Sequence, residues 1–372
     1  MDICEFSPSY VRAIAPYQPG KPISEVAREY GLDEARIIKL ASNENPLGLS
    51  PMARVAIEKE IAELSRYPDG NAFDLKAALS SRYGVAAARV VVGNGSNDLL
   101  EMLASAFLAP GRAAVFSRHA FAVYPLATQA RGAKSIVVPA RKFAHDLDAM
   151  LAAITPETRL VFIANPNNPT GTFARGGEIE DFLRRAPREV VVVLDQAYDE
   201  YIPEAHRFDS VPWLVKHRNL VILRTFSKIY GLAGLRVGFG LMDAGIADLL
   251  NRVRQPFNVN SLALAAAGAA LRDTAFVRQS FNSNLAGMRQ LEQGLAKLGL
   301  EVLPSCANFI CFEVPRGAGK PMGAEVFERL LRQGVIVRPL AGYEMPDHLR
   351  VTIGTPEENQ AFLKALASAL KG

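Results

Sequence analysis

Short apolar runs alternate with helical stretches over most of this 372-residue chain. Five of the runs have the length of a strand and contain almost no polar residue, at 89–92, 113–116, 160–164, 189–194 and 220–223. Strands of this kind are typical of a parallel sheet that helices cover on both faces. The pattern therefore predicts an α/β fold with a mostly parallel, doubly wound sheet.

The two ends of the chain carry different patterns. The first 50 residues contain five prolines and one helical stretch at 23–30, which predicts an extended arm. From 243 to 298 the pattern is helical with one break near 256–260, and after Pro304 short strands alternate with helices. We therefore expect three parts: a large domain at 48–290, an arm at 1–47 that packs with the small domain, and a small α+β domain at 291–372.

Composition argues against several classes of protein. The hydrophobic content of 49% suits sizeable cores, and no apolar run approaches the roughly 20 residues that a membrane helix needs. The first residues lack a basic region followed by an apolar core, so we expect a cytoplasmic protein without a membrane partner. The net charge of +4 comes from 42 basic and 38 acidic residues, which argues against a nucleic-acid partner and suits anionic small molecules.

Metal and disulfide chemistry are not expected. The three cysteines, Cys4, Cys306 and Cys311, are too few for a disulfide framework and lack the spacing of a zinc site. The five histidines are scattered along the chain without metal-ligand spacing. We therefore predict no metal site.

The strongest candidate for chemistry is a lysine that follows the apolar run at 220–223. Lys228 would lie at the carboxyl end of that strand, where open α/β sheets bind ligands. Thr225, Ser227 and Arg236 are close by in sequence. Such a lysine can form an imine with an aldehyde while its neighbours hold an anion on the same ligand, and pyridoxal 5'-phosphate is such a ligand. Taken alone, the stretch also fits a solvated loop lysine.

A carboxylate follows the most apolar strand. Asp195 ends the run at 189–194, so we expect it to be partly buried. Desolvation should raise its pKa unless a cation lies nearby, and a protonated ring nitrogen would be such a cation. A helix cap or a structural ion pair is the alternative.

Three further stretches suit a ligand pocket. Gly93 to Asn97 lies between a strand and a helix, so the amides of Gly95, Ser96 and Asn97 could meet a phosphate, although a helix cap explains the serine equally well. Phe121 or Tyr124 could cover the face of a ring, and core packing is the alternative. Asn165 to Gly171 contains two prolines and a glycine, which predict a rigid turn.

The combination of these motifs resembles the fold-type I aminotransferases that use pyridoxal phosphate. The residues that carry it are Asn168-Pro169-Thr170-Gly171, Asp195, Tyr198, Thr225-Phe226-Ser227-Lys228 and Arg236. Further segments are similar to the histidinol-phosphate aminotransferase family and span nearly the whole chain: Ala15-Pro16-Tyr17, Ala41 to Pro46, Arg66-Tyr67-Pro68, Ala307-Asn308-Phe309 and Arg350 to Thr355.

The resemblance implies roles around the cofactor. Lys228 would bind the cofactor aldehyde and move the proton, and Asp195 would pair with the ring nitrogen. Asn168 and Tyr198 would bond the phenolic oxygen of the ring. The residues implied at the cofactor phosphate are Gly95, Ser96, Ser227, Arg236 and, more weakly, Thr225. Phe121 would stack on the ring. Tyr67 would reach the phosphate of the neighbouring subunit, in a homodimer with shared active sites.

The same resemblance implies the substrates, histidinol phosphate and the pair glutamate and 2-oxoglutarate. Arg350 would bind the substrate carboxylate, Arg338 and Tyr17 the phosphate, and Asn43 would lie at the substrate's edge, although Arg338 also fits a surface salt bridge. Phe121 and Phe257 stand where relatives carry tyrosine. Three alternatives therefore stay open: an aromatic or broad-specificity aminotransferase, a threonine-phosphate decarboxylase, and a cofactor-binding transcription regulator, the last disfavoured because no DNA-binding module precedes the pattern.

Overall fold

The computed structural model describes residues 2–316 and 322–371. Its strands are β1 (Ile38–Lys39), β2 (Val90–Gly93), β3 (Ala113–Ser117), β4 (Lys134–Val138), β5 (Thr158–Ala164), β6 (Val191–Asp195), β7 (Leu220–Thr225), β8 (Gly238–Leu241), β9 (Phe309–Glu313), β10 (Val335–Ile336), β11 (Arg338–Pro339) and β12 (His348–Thr352). Its α-helices are α1 (Ser9–Arg12), α2 (Ile23–Tyr30), α3 (Pro51–Glu60), α4 (Phe73–Tyr83), α5 (Ser96–Phe107), α6 (Val123–Ala130), α7 (Leu147–Ala152), α8 (Gly176–Arg185), α9 (Trp213–Lys216), α10 (Ala244–Val253), α11 (Ser261–Ala270), α12 (Thr274–Lys297), α13 (Gly323–Arg332) and α14 (Pro356–Ala369).

A seven-stranded sheet forms the centre of the molecule, in the order β2-β8-β7-β6-β5-β3-β4. The pairs from β7 to β4 are parallel, and β8 runs antiparallel to both β2 and β7. Parallel strands place their carboxyl ends at one edge, so β5, β6 and β7 deliver the residues that follow them to a common place. The predicted mostly parallel α/β sheet is confirmed.

Side chains of the central strands alternate between two separate cores. On β6, Val192 and Leu194 belong to one core and Val191 and Val193 to the other. Successive side chains of a strand point to opposite faces, so each face of the sheet has its own apolar packing. This two-sided burial explains why the strands are continuous apolar runs in the sequence.

A smaller α+β unit follows, as predicted from the carboxyl-terminal pattern. Its antiparallel sheet has the order β11-β12-β9 and shares a core with α13 and α14. The arm contacts this unit, because β1 pairs in parallel with β10. The domain limits remain a proposal, and α12 runs across the limit that we placed at position 290.

The fold contains three features that the sequence pattern did not predict. Strand β4 lies at the sheet edge with partly exposed side chains, and β8 contains two glycines, which have low strand propensity. The helical stretch also breaks a second time at 271–273, where the Asp273 side chain caps α12 by accepting from the N–H of Phe276. No helix in the described ranges is long and apolar enough to cross a membrane.

Candidate active site

One pocket at the carboxyl ends of β5, β6 and β7 collects most of the predicted site residues. Parts of the arm and of the small unit close it. The predicted residues that line this pocket are Tyr17, Asn43, Ser96, Phe121, Asn168, Asp195, Tyr198, Thr225, Ser227, Lys228, Arg236, Arg338 and Arg350. Residues more than 300 positions apart in sequence therefore meet at one site.

Lys228 lies three residues beyond the end of β7 and faces the pocket. Its Nζ donates a hydrogen bond to the backbone oxygen of Ser42 at 3.1 Å and lies 5.6 Å from the ring centroid of Tyr198. Burial, followed by the charge of Arg350, lowers the pKa of Lys228 to about 7. A substantial fraction of this lysine is therefore a free amine near neutral pH, the form that attacks an aldehyde.

Asp195 is the last residue of β6 and is 5% exposed. The hydroxyl of Tyr124 donates to its Oδ2 at 2.8 Å, and the N–H of Ala197 donates to Oδ1 at 3.3 Å. Burial raises the pKa of Asp195 to about 6, although both hydrogen bonds oppose the shift. Within the described residues Asp195 has no salt-bridge partner, so this carboxylate suits a cation on a ligand.

An anion cradle lies where α5 begins. Gly95 precedes the helix with a φ of 80°, and a Cβ added there would overlap the guanidinium of Arg236. Arg236 donates to Ser227 Oγ at 3.4 Å, next to the amino-terminal end of α5 at Ser96. Helix N–H groups, a hydroxyl and a guanidinium together suit a phosphate. The predicted Thr225 also lines the pocket, but its hydroxyl accepts the N–H of Ser227 at 3.1 Å and shapes the turn.

Two arginines from the small unit approach the pocket from the opposite side. Arg350 donates to Oδ1 of Asn168 and to the backbone oxygen of Ala41, while its Nε is buried without a partner. Arg338 lies 5.5 Å from the ring centroid of Tyr17 and donates to a backbone oxygen of the arm. Among the described residues Arg338 forms no ion pair, so the surface salt bridge that we considered for it is absent there. Both guanidinium groups are positioned for a second anion.

Asn43 lines the pocket, and its expected place at the substrate's edge stays a prediction. Its side chain donates to the hydroxyl of Tyr198 at 2.8 Å, and its backbone N–H donates to Thr352 Oγ1 at 2.9 Å. The amide therefore holds Tyr198 and links it to β12. Because Tyr198 accepts this hydrogen bond, its own O–H remains available to a ligand.

Tyr67 is the predicted residue that lies apart from the pocket of its own chain. It is 82% exposed and stacks on Phe257 with ring centroids 4.7 Å apart. Our prediction placed Tyr67 against the phosphate in a neighbouring subunit, and it stays a prediction. Phe257 shares this exposed position, so a contact with substrate would also have to reach another copy.

The structure adds Tyr124 and Tyr343 to the site. Tyr124 was considered as a ring cover or core residue, yet its hydroxyl contacts Asp195. Tyr343 lines the pocket beside Arg350. The backbone oxygen of Tyr343 is hydrogen-bonded to Nδ1 of His119 at 2.6 Å. Apart from the aromatic cluster at 121–124, the sequence carried no signal for these contacts.

The pocket contains residues that suit the ring end and the phosphate end of pyridoxal phosphate. It offers a lysine for the aldehyde, a buried acid without a cation for the ring nitrogen, and a glycine-lined cradle for the phosphate. The unpartnered Nε of Arg350 leaves a donor for a further anion. No cluster of potential metal ligands occurs among the residues that the structure describes.

The sequence matches a family model for class I and II aminotransferases over residues 35–366. The chain belongs to this aminotransferase family. The fold agrees, since aspartate aminotransferase from Thermus thermophilus, a double mutant, superposes with a TM-score of 0.83 at 23% identity and covers 98% of this chain and 99% of that one.

Closer relatives narrow the family to the histidinol-phosphate aminotransferases, as the sequence resemblance indicated. Histidinol-phosphate aminotransferase 2 of Nitrosospira multiformis is 59% identical and covers 100% of this chain and 93% of that protein. Histidinol-phosphate aminotransferase of Methylobacillus flagellatus is 58% identical, covering 99% and 98%. The crystal structure of histidinol-phosphate aminotransferase from Sinorhizobium meliloti in complex with pyridoxal-5'-phosphate has a TM-score of 0.90 at 26% identity and covers 98% of each chain.

Proposed function

We propose that this protein transfers an amino group between L-histidinol phosphate and 2-oxoglutarate, giving imidazole acetol phosphate and L-glutamate, in L-histidine biosynthesis. Pyridoxal 5'-phosphate is the proposed cofactor and the cytoplasm the proposed location. The observation that carries the proposal is a buried lysine with a lowered pKa in one pocket with a buried carboxylate that forms no salt bridge among the described residues. The full-length similarity to histidinol-phosphate aminotransferases supports the choice of substrate.

The cofactor would be held along its whole length. Arg236, Ser227 and the N–H groups at the start of α5 would bind the phosphate, with Gly95 giving the guanidinium room. Asp195 would bind the ring nitrogen, and Phe121 in the pocket wall would pack on the ring. Pyridoxal phosphate, when bound, supplies an aldehyde for the amino group and a ring that accepts electrons as a bond to the α-carbon breaks.

Lys228 is the proposed proton carrier. Its Nζ would take a proton from the carbon that bears the substrate amino group. In the second half-reaction it would return a proton to the corresponding carbon of the acceptor. Efficient general bases have a pKa near the working pH, and burial brings that of Lys228 to about 7. Tyr198 and Asn168 would hold the phenolic oxygen of the cofactor. The Tyr198 hydroxyl accepts from Asn43, so its own proton is free to be donated to a ligand.

The substrate end must accept two anions in turn. Histidinol phosphate brings a phosphate, and glutamate brings carboxylates. Arg350 and Arg338 suit both, because a guanidinium fork forms paired hydrogen bonds with either group. Tyr17 lies against Arg338 and closes this end of the pocket.

The proposed assembly is a homodimer with shared active sites. Tyr67 is 82% exposed in the single chain, and three apolar side chains near it in sequence are exposed as well: Ile61 at 53%, Leu64 at 51% and Phe73 at 73%. Exposed apolar clusters of this kind mark interaction surfaces. Burial of this surface by a second copy would carry Tyr67 toward the partner's phosphate cradle.

A half-reaction experiment tests the proposal. Cofactor-loaded protein is mixed separately with histidinol phosphate, glutamate, phenylalanine and threonine phosphate while the visible band of the cofactor is followed. Histidinol phosphate and glutamate should convert the band, with kcat/KM for histidinol phosphate at least ~10-fold above that for phenylalanine, since a missed anion contact costs more than 1.4 kcal/mol. The Lys228→Ala protein should show no conversion.

Other outcomes would reassign the chain. A preference for phenylalanine would indicate an aromatic or broad-specificity aminotransferase. Release of carbon dioxide from threonine phosphate would indicate a decarboxylase. Absence of conversion with every amine, together with binding to DNA, would favour a regulator.

A further inference from the structure

Tyr124 lines the pocket beside Asp195 and is fully buried. It belongs to α6, and its ring stacks on Phe162 of β5 with centroids 4.7 Å apart and planes 6° apart. Phe121 meets the same ring edge-on at 5.8 Å. Packing on two sides fixes the ring, so the hydroxyl has little freedom in where it points.

The hydroxyl points at Asp195. Its Oη donates to Oδ2 at 2.8 Å, whereas the other oxygen, Oδ1, receives only the longer 3.3 Å contact from the N–H of Ala197. Burial, and next the charge of Asp195, raise the pKa of Tyr124 well above its ordinary value, so the phenol stays protonated and can only donate here. The two carboxylate oxygens are therefore unequal.

We propose that Tyr124 is a positioning residue, whose hydroxyl holds one oxygen of Asp195 and leaves Oδ1 for the protonated ring nitrogen of the cofactor. This inference rests on the proposed function. A carboxylate that could rotate in the buried site would present either of its oxygens to the ring nitrogen, in more than one orientation. A fixed donor selects one, and it opposes the desolvation that favours the neutral acid.

The groups that face Asp195 define what else could act on its charge. They are Tyr124 from α6, Lys228 beyond β7 and Tyr198 beyond β6. Lys228 lowers the pKa of Asp195 through space, but less than the hydrogen bonds from Tyr124 and Ala197 do. The Tyr124 hydrogen bond is then the main protein contribution that keeps Asp195 ionised.

The test is Tyr124→Phe, which keeps the ring and its stacking on Phe162 but removes the hydroxyl. Pyridoxal phosphate is titrated into cofactor-free full-length protein, and its dissociation constant is measured across pH. Affinity should fall by about 10- to 100-fold, the range for one hydrogen bond to a charged group. The acid limb of the affinity profile should also move to higher pH, because Asp195 loses a donor that favours its charged form.

Tyr83→Phe is the matched control, since it also removes the hydroxyl of a largely buried tyrosine, one that lies away from Asp195 against Arg224. It should leave affinity and pH profile unchanged. The double variant with Asp195→Asn separates positioning from packing, because Tyr124→Phe should have no further effect on affinity once the carboxylate is absent.

Equal losses with and without Asp195 would show that Tyr124 acts through packing alone and would overturn the inference. So would an unchanged affinity and pH profile in Tyr124→Phe protein. If wild-type protein fails to bind the cofactor at all, the proposed function fails instead, and this outcome is distinct from both.

Discussion

Two sets of buried acids lie within six residues of each other and have different partners. Asp199 and Glu200 form one set, and Asp195 is the other. Asp199 pairs with Arg224 at 2.8 Å, and Glu200 lies 3.8 Å from the same guanidinium. Asp195, at the end of the strand that leads into this segment, receives only hydrogen bonds from Tyr124 and Ala197. Within the part of the chain that the structure describes, one set therefore forms salt bridges and the other forms none.

The difference separates a structural charge from a functional one. Burial raises the pKa of Asp199 and brings that of Glu200 to about 7, and in both cases Arg224 opposes the shift. Burial also raises the pKa of Asp195, to about 6, so the two sets differ in their partners and not in the direction of the pKa shift. A buried acid without a cation is costly to keep, so its place at a pocket edge indicates a site that a charged ligand completes.

Removal of the structural cation should have the largest effect on stability. Arg224→Met removes the salt bridges of Asp199 and Glu200 and leaves both acids buried, so we expect the free energy of unfolding to fall by about 3–5 kcal/mol. Urea unfolding of the cofactor-free protein measures this loss. Arg224→Lys keeps the charge without the fork and should lose less; equal stability of all three proteins would contradict a structural role.

Removal of the functional acid should instead affect activity. Asp195→Asn takes away the partner of the ring nitrogen, and a charge contact of ~4 Å at an effective dielectric near 20 is worth roughly 4 kcal/mol before desolvation. We expect kcat for the histidinol phosphate reaction to fall by up to about 10³-fold. The cofactor-free variant should be at least as stable as wild type.

The matched variant is Asp199→Asn, four residues away. It should lose stability because its ion pair with Arg224 breaks, while the folded fraction keeps most of its turnover per active site. A turnover loss as large as that of Asp195→Asn would erase the distinction between the two sets.

The pH dependence of stability should distinguish wild type from the Asp195→Asn variant. Asp195 holds its proton up to a pKa of about 6 in the folded state, against 3.8 when unfolded. Its contribution to the stability of cofactor-free protein is thus complete below pH ~4 and is lost as the pH rises through 6, by at most about 3 kcal/mol. The free energy of unfolding of wild type minus that of Asp195→Asn should show this fall with pH. A difference that does not change with pH would contradict it.

Glu200→Gln should have the smallest effect. Arg224 lies nearer to Asp199 than to Glu200, and with a pKa of about 7 Glu200 carries only part of its negative charge near pH 7. We expect the free energy of unfolding to change by about 1 kcal/mol or less. A loss as large as that of Asp199→Asn would show that the two acids share the cation equally.

The central strands and their terminal residues could be predicted from sequence because each signal is local. Asp195 and Lys228 each follow a continuous apolar run, so their burial and common edge follow from strand geometry. Tyr124 and Asn43 could not be assigned in this way. Their hydrogen bonds to Asp195 and Tyr198 join residues 71 and 155 positions apart, and only the packing of α6 and the arm brings them together.

One further element boundary carries a local signal in the sequence, and one strand carries none. The second helix break at 271–273 is marked by Asp273 directly before Thr274, a typical helix cap that also accepts from Ser50 at 2.6 Å. Strand β8 carried no such mark, because its glycines give it little strand propensity and only pairing with β2 and β7 defines it.

The most direct test of the account is the protonation state of the cofactor ring nitrogen. Pyridoxal phosphate labelled with ¹⁵N in the ring is bound to wild-type and Asp195→Asn protein, and the nitrogen chemical shift is measured by NMR near neutral pH. We predict a protonated ring nitrogen in wild type and an unprotonated one in the variant. An unprotonated nitrogen in wild type, or the same shift in both proteins, would contradict the assignment of Asp195 to a ligand cation.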